Sequence, residues 1–495
     1  MSDDYVVLNF TRAFLFFAYL AASFKYNIQN MKIKFCGAAG EVTGSCHLIT
    51  LDDGYKILLD CGLYQGRDKD MERFNESWLF DPSDINCLVI SHAHIDHIGR
   101  VPKLVADGFS GKIYATHATR DLATIMLLDS AKIQEGDAQY HNKKKNNQDV
   151  EKKPLYTLKD AQRTMQFFSA SGYDTWFHIH PNVKVQYRDA GHILGSASVT
   201  LEIQEGDKTI RFGFTGDIGR PNRPILSDPQ PLPEVDYLIC ESTYGDRLHD
   251  EAPNELNHFL EIIRHTCVEK KGKLIIPAFS VGRTQEIAYM LDQLHKAGSL
   301  PEIPVYIDSP LSVNATEIFI NHPECFDAEL HEYMLTDENP FGFNSLIYIR
   351  DVEESKKLNQ NPAPCVIIAS SGMLNAGRVK HHLANNIEDP CCTFLMVGYC
   401  SPGTLGAELR DGAKSVHVFN QEKQVLASVE IMDGFSAHGD QAEMFQVIKN
   451  QIDTAKKVWL VHGTAERQEP WKAFLLDKGF KDVGIPTLGD EEILG

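Results

Sequence analysis

The run Ser91-His92-Ala93-His94-Ile95-Asp96-His97 packs three imidazoles and a carboxylate into residues 92–97, directly after an apolar, strand-like stretch, Cys87-Leu88-Val89-Ile90. Imidazole nitrogen and carboxylate oxygen are the usual ligands of zinc and its neighbours. His92 and His94, two apart, can grip one ion; Asp96 and His97, a step further on, can grip a second. Two metals roughly 3.5–4 Å apart form a recurrent device for hydrolysing phosphate esters.

Two ions need more ligands than one loop supplies, and three further segments have the right form. Gly191-His192-Ile193-Leu194-Gly195-Ser196 sets a histidine among small, flexible residues before a strand. Phe214-Thr215-Gly216-Asp217 ends a strand in a carboxylate able to bridge two ions, and Val461-His462-Gly463 places another ligand at a strand end. Asp60 closes the strand-like segment Tyr55–Cys61 in the same way. Each is weak alone; together they complement the 92–97 loop.

Positioning these groups requires short strands ending in tight loops. From Met31 onward the pattern is strands and glycine turns, with a helix expected at 119–135 and an exposed, lysine-rich loop at 141–153. After about residue 246 the texture changes to strands alternating with helices: helix near 252–269, strand 273–277, helix 283–297, strand 305–308, then strands near 365–369 and 392–397. That alternation predicts a parallel-sheet α/β domain. Short strands return from about 425, with a helix near 440–450 and a strand at 458–461. The simplest organisation is 31–245 and 426–495 as two parts of one domain, 246–425 as an insertion, and 1–30 as an appendage.

Net charge is −20, from 48 basic and 68 acidic residues, which argues against a generally basic, nucleic-acid-coating protein. The 11 cysteines are scattered, and no disulfide framework is readable, so a reducing cytoplasm is expected. Residues 5–24 are largely apolar but interrupted by Asn9, Thr11 and Arg12, and preceded by Ser2-Asp3-Asp4. Natural initiation at Met31 is the first reading of that stretch, a helical appendage the second and a membrane anchor the third; no membrane association is expected.

Asp60, the His92–His97 loop, His192 and Asp217 resemble the four sequence motifs of the metallo-β-lactamase fold. Glu241-Ser242-Thr243-Tyr244-Gly245, Phe435-Ser436-Ala437-His438-Gly439 and Val461-His462-Gly463 resemble motifs A, B and C of its β-CASP subgroup, nucleases that process RNA or DNA. Segments 277–283, 370–373 and 398–406 look like that subgroup's secondary signatures, so the resemblance spans residues 31–495. It implies an α/β architecture: a four-layered αβ/βα sandwich with an inserted parallel-sheet β-CASP domain. It implies two Zn2+, with Mn2+ the alternative: His92, His94 and His192 on one, Asp96, His97 and His462 on the other, and Asp217 bridging. Asp60 would accept hydrogen bonds from ligands. A metal-activated hydroxide would attack phosphorus, and His438, charged and oriented by Glu241, would protonate the leaving oxygen.

Ser370, Ser371 and Arg378 lie beside glycines at a strand end, a suitable place for phosphate contacts, with Lys380, His381 and His382 adding positive character. Arg283 could contact RNA or pin the helix that follows. The expected substrate is single-stranded RNA, with DNA the alternative and endo or 5′-exo mode open; the resemblance also hints at a homodimer. Small-molecule hydrolysis (thioester or lactam) and a non-catalytic subunit of an RNA-processing complex are the competing classes. No accessory RNA-binding module is expected before Met31 or after the last motif.

Overall fold

The structure is a computed structural model that describes residues 31–66, 69–144, 151–249, 255–398, 400, 403–432, 434 and 436–494. The expected appendage 1–30, Tyr399 and Phe435 lie outside the described residues.

Two seven-stranded sheets face each other. In the first, Glu491–Ile493, Lys32–Gly37, Cys46–Thr50 and Lys56–Leu59 pair antiparallel, and Cys87–Val89, Lys112–Thr116 and Phe168–Ser171 continue in parallel. The second runs Val483–Gly484, Lys457–Val461, Tyr237–Glu241, Lys208–Phe214, Ala197–Glu205, Val183–Asp189, Phe177–His180. Strand alternation explains the layering. Ile57, Leu59 and Val89 point inward to meet Val199, Phe212, Ile239 and Trp459 of the opposite sheet. Their neighbours Leu58 and Leu88 point outward onto helices carrying Leu104 and Leu122. On the other side, Leu238, Cys240 and Leu460 bury Met444 and Trp471. The result is helix, sheet, sheet, helix, as expected.

A third sheet of six strands is parallel throughout, in the order Leu346–Tyr348, Val305–Ile307, Cys365–Ala369, Lys273–Pro277, Thr393–Met396, Ser428–Ile431. Its central strands read as apolar runs because helices cover both faces: Leu274 and Ile276 enter one core, Ile275 and Ile367 the other. Ser428–Ile431 carries this sheet past residue 425, where the insertion was expected to end.

The helix expected at 119–135 runs His117–Lys144. Gly136 does not stop it, and Leu127, Ala131 and Ala138 keep burying at near-helical spacing, so the first residues of the expected loop are helical. Of that loop, 145–150 lie outside the described residues. Among the described residues none of the eleven cysteines is in a disulfide. Among the described residues no helix is long and apolar enough to cross a membrane.

Candidate metal centre

The site lies where strand ends of the two facing sheets meet. The buried strand Cys87–Val89 runs into Ser91–His94 and then the one-turn helix Ile95–Ile98. Gly62 lies so close to the Asp96 carbonyl that a Cβ there would overlap it, which lets the Asp60–Gly62 turn nest under the helix. Asp60 and His462 both have left-handed backbones, each with φ of 55°. That conformation costs a non-glycine residue roughly 1–2 kcal/mol. It is held by Asp60 N donating to Val89 O (3.0 Å) and His462 N donating to Ala38 O (2.8 Å).

The ligand-type atoms fall into two sets. His92, His94, His192 and Asp217 offer one atom each within 4.8 Å of one another, and Asp96, His97 and His462 do the same. In the first, His94 Nδ1 lies 3.1 Å from both His92 Nε2 and His192 Nε2. In the second, His97 Nε2 is 3.3 Å from His462 Nε2, and Asp96 Oδ2 is 3.5 Å from that same nitrogen. Asp217 stands between them. Its Oδ2 is 3.5 Å from His92 Nε2 and from His192 Nε2, and its Oδ1 is 3.3 Å from His97 Nε2 and 3.7 Å from His462 Nε2. Oδ1 is buried without a hydrogen-bond partner. Converging imidazole lone pairs around a buried carboxylate suit divalent cations, and the donor set favours zinc.

Partners behind the site fix the rings. Asp60 Oδ2 accepts His97 Nδ1–H at 2.6 Å and the Ser91 and Ser45 hydroxyls at 2.8 and 3.1 Å, while Oδ1 accepts Ser91 N–H. His97 Nε2 is thereby left facing Asp217. Thr243 Oγ1 lies 3.0 Å from His462 Nδ1, and Ala437 O lies 3.3 Å from His192 Nδ1. Ser45, Ser91 and Thr243 were not singled out from the sequence. Ser91 and Thr243 stand inside the runs 91–97 and 241–245, whereas Ser45 lies outside every motif.

Electrostatics follow from burial. Burial, reinforced by neighbouring imidazoles, pushes His92 and His192 well below the ordinary histidine range, and burial takes His94 to about 4. These three are neutral at pH 7, the form that ligates metal. Burial opposes ionisation of Asp217, but His462, His97 and His92 outweigh it and hold its carboxyl well below the usual range. Asp96 is likewise held at about 2 by His462 and His97 against burial. His97 is raised: burial disfavours its charge, and Asp217 and Asp60 overcome that. Its proton sits where a cation would compensate Asp217.

His438 joins this cluster from a separate segment. Its Nδ1 is 3.3 Å from Glu241 Oε1, its Nε2 is 3.9 Å from Asp217 Oδ2, and its side chain is 21% exposed. Glu241 Oε1 also accepts Ile218 N–H at 2.5 Å, and Oε2 accepts Thr243 N–H at 3.2 Å. Arg220 and Arg223 donate to Gly434 O at 3.1 and 2.6 Å, tethering the segment before His438. Burial works against a charge on His438, but Glu241 and Asp217 raise its pKa to about 9.

The remaining expected contacts lie in the inserted domain. Ser370 and Ser371 follow the strand Cys365–Ala369; Ser370 Oγ donates to Ser309 Oγ at 2.9 Å. The Arg378 guanidinium is turned inward, donating to Asp308 Oδ1 (2.6 Å), Ile349 O and Arg350 O. His382, expected to add positive character, is fully buried with Nε2 2.7 Å from Asp308 Oδ2. Arg283 is also buried and paired with Glu286, which pins the first turn of Arg283–Lys296. Loop Phe279–Gly282 links the two regions: Gly282 lies against Ile193, next to His192, and Phe279 lies against Gly372.

Comparison with known proteins gives three family matches along the chain: the metallo-beta-lactamase superfamily at residues 39–254, the Beta-Casp domain at 284–409, and the Zn-dependent metallo-hydrolase RNA specificity domain at 422–482. Ribonuclease TTHA0252 of Thermus thermophilus is 35% identical over 460 residues, covering 93% of this chain and 99% of that one. The transcription termination factor FttA of Methanosarcina mazei is 32% identical, covering 88% and 67%. An RNase J-like protein of Methanocaldococcus jannaschii is 31% identical, covering 87% and 92%.

Proposed function

Because the chain belongs to the β-CASP group of the metallo-β-lactamase superfamily and is a metal-dependent hydrolase, we propose that it is a ribonuclease cleaving phosphodiester bonds of single-stranded RNA at the Asp217 centre. The observation that carries this reading is Asp217 itself, one buried carboxylate whose two oxygens face two separate ligand sets. RNA as substrate is supported by the relatives' names and by the RNA specificity match over 422–482.

In this reading His92, His94 and His192 would hold one divalent cation, zinc by their chemistry, Asp96, His97 and His462 would hold a second, and Asp217 would serve both. When bound, the two cations supply a water that ionises near neutral pH and positive charge against the phosphoryl oxygens. The chain's own groups do the rest. Cleavage forms one P–O bond to the water oxygen and breaks another to the leaving ribose oxygen. His438 Nε2 points to the Asp217 side of the site and holds a proton at neutral pH. It donates that proton to the leaving oxygen, and Glu241 keeps the ring oriented and charged. Ser370 and Ser371 offer hydroxyls to flanking phosphates; Arg378 acts by tying their loop to Asp308.

The test uses the metal-loaded protein and end-labelled single-stranded RNA, with and without chelator, beside His438→Ala. Chelator-sensitive cleavage that is lost in the variant supports the proposal, with internal fragments meaning endonuclease and released mononucleotides 5′-exonuclease. Intact RNA after incubation with loaded wild type overturns it for that substrate and turns attention to single-stranded DNA, thioesters and lactams.

A further inference from the structure

The peptide that joins His438 to Gly439 is pinned at both edges. Its N–H, on Gly439, donates to Ile218 O at 2.8 Å, in the turn just after Asp217. Its carbonyl, His438 O, lies 3.0 Å from Nε2 of His249. A carbonyl only accepts, so the proton of this bond is on Nε2. Burial holds His249 below the ordinary histidine range, which leaves the ring neutral with its single proton there. A peptide is planar, so two bonds pulling on opposite edges fix its plane and, with it, the direction in which the His438 side chain leaves the backbone. The Ser436 hydroxyl also approaches His438 O, but at 3.4 Å, long for an O–H donor.

His249 ends a strap that continues from Glu241. Arg247 O accepts the Gln441 backbone N–H at 3.1 Å, Gly245 O accepts Gln441 Nε2–H at 2.6 Å, and the His249 backbone N–H donates to Asp440 Oδ2 at 2.9 Å. These bonds dock the strap on the start of the helix Gln441–Ile448 without the His249 side chain, which reaches instead to the His438 carbonyl. The Tyr244 ring stands edge-on to both imidazoles, 4.8 Å from His249 and 6.2 Å from His438. We infer that His249 is a positioning residue for His438: it holds the backbone of the acid while Glu241 holds the ring, and one run, 241–249, supplies both holds. The inference rests on the role proposed above for His438. Small displacements matter at such a site, because an acid about 1 Å out of place can cost about 100-fold in rate.

The test is a double-mutant cycle on the metal-loaded full chain, cleaving end-labelled single-stranded RNA. His249→Phe keeps a ring but removes the donor; His249→Gln keeps an N–H at the place of Nε2. Folding is checked by circular dichroism, and if His249→Phe does not fold, His249→Met, which also lacks a donor, takes its place. His249→Phe is expected to lower kcat at least about tenfold with KM and metal content unchanged, and His249→Gln to stay within about threefold of wild type. In the His438→Ala background, read in single turnover with enzyme in excess, adding His249→Phe is expected to change nothing, because a residue that acts only through His438 has nothing left to position. The inference is overturned by wild-type kcat in His249→Phe, by a loss carried by KM or metal content, by a glutamine variant no better than the phenylalanine one, or by an equal further loss in the His438→Ala background. RNA left intact by wild type overturns the proposed function and this inference with it, whereas RNA cleaved equally by wild type and His249→Phe overturns the inference alone.

Discussion

His438 Nδ1 lies 3.3 Å from Oε1 of Glu241, a carboxylate 197 residues earlier in the chain. The same oxygen accepts the backbone N–H of Ile218, directly after Asp217. One buried carboxylate therefore sets the position of the imidazole and of the turn that carries the central aspartate. Removing the imidazole in His438→Ala is expected to lower kcat by about 10²–10⁴, the usual worth of a general acid, with unchanged metal content by elemental analysis.

Glu241→Gln separates charge from geometry. The glutamine oxygen still accepts from Ile218, but the negative charge that helps hold His438 at a pKa of about 9 is gone. An acid works only while protonated, so activity falls as pH rises through its pKa. The alkaline limb of the pH–kcat profile is expected to move to lower pH in the variant, and an unmoved limb counts against His438 as the acid.

Asp60 is predicted to act through His97. It takes the Nδ1 proton at 2.6 Å and is itself gripped by Ser45 and Ser91. Asp60→Ala is expected to weaken metal affinity about 10–100-fold, read by competition with a chromogenic chelator. Ser45→Ala, which removes one of those grips, is expected to do less.

Asp189 offers a pH test of stability outside the ligand set. Burial raises its carboxyl to about 7, although Oδ1 accepts the Gly191 N–H at 2.8 Å. Between the unfolded value near 4 and about 7 the folded state holds the proton and the unfolded chain does not. Stability contributed by this group is thus full below about pH 4, falls as pH rises and levels off above about 7, a loss of up to ~4 kcal/mol. Asp189→Asn keeps an acceptor for Gly191 and is expected to flatten that slope in urea titrations.

Trp459 closes the core between the facing sheets. It is buried, stacked on Phe212 and Tyr237, and its Nε1 donates to Glu492 at 2.9 Å. Trp459→Ala is expected to cost about 3–5 kcal/mol of stability, measured by chemical denaturation.

The sequence by itself carried the residue types of the candidate site, because 92–97, Asp217 and His462 stand where a strand-like segment stops and His192 just before one begins. The parallel sheet of the insertion was legible because strands covered on both faces read as unbroken apolar runs, whereas the two facing sheets followed from the resemblance of the motifs and not from strand pattern. Local pattern did not locate the end of the long helix, because Gly136 lies on its surface and costs too little to stop it. Nor did it show which charged side chains look inward. Arg378 sits beside Gly377 like a phosphate contact and His382 follows it, yet both close on Asp308, some 70 residues away. Ligand identity is local chemistry at a strand end. Which oxygen of Asp217 meets which ring, and whether a cation faces solvent or a carboxylate, depends on the packing of segments far apart in the chain, and only the tertiary structure decides it.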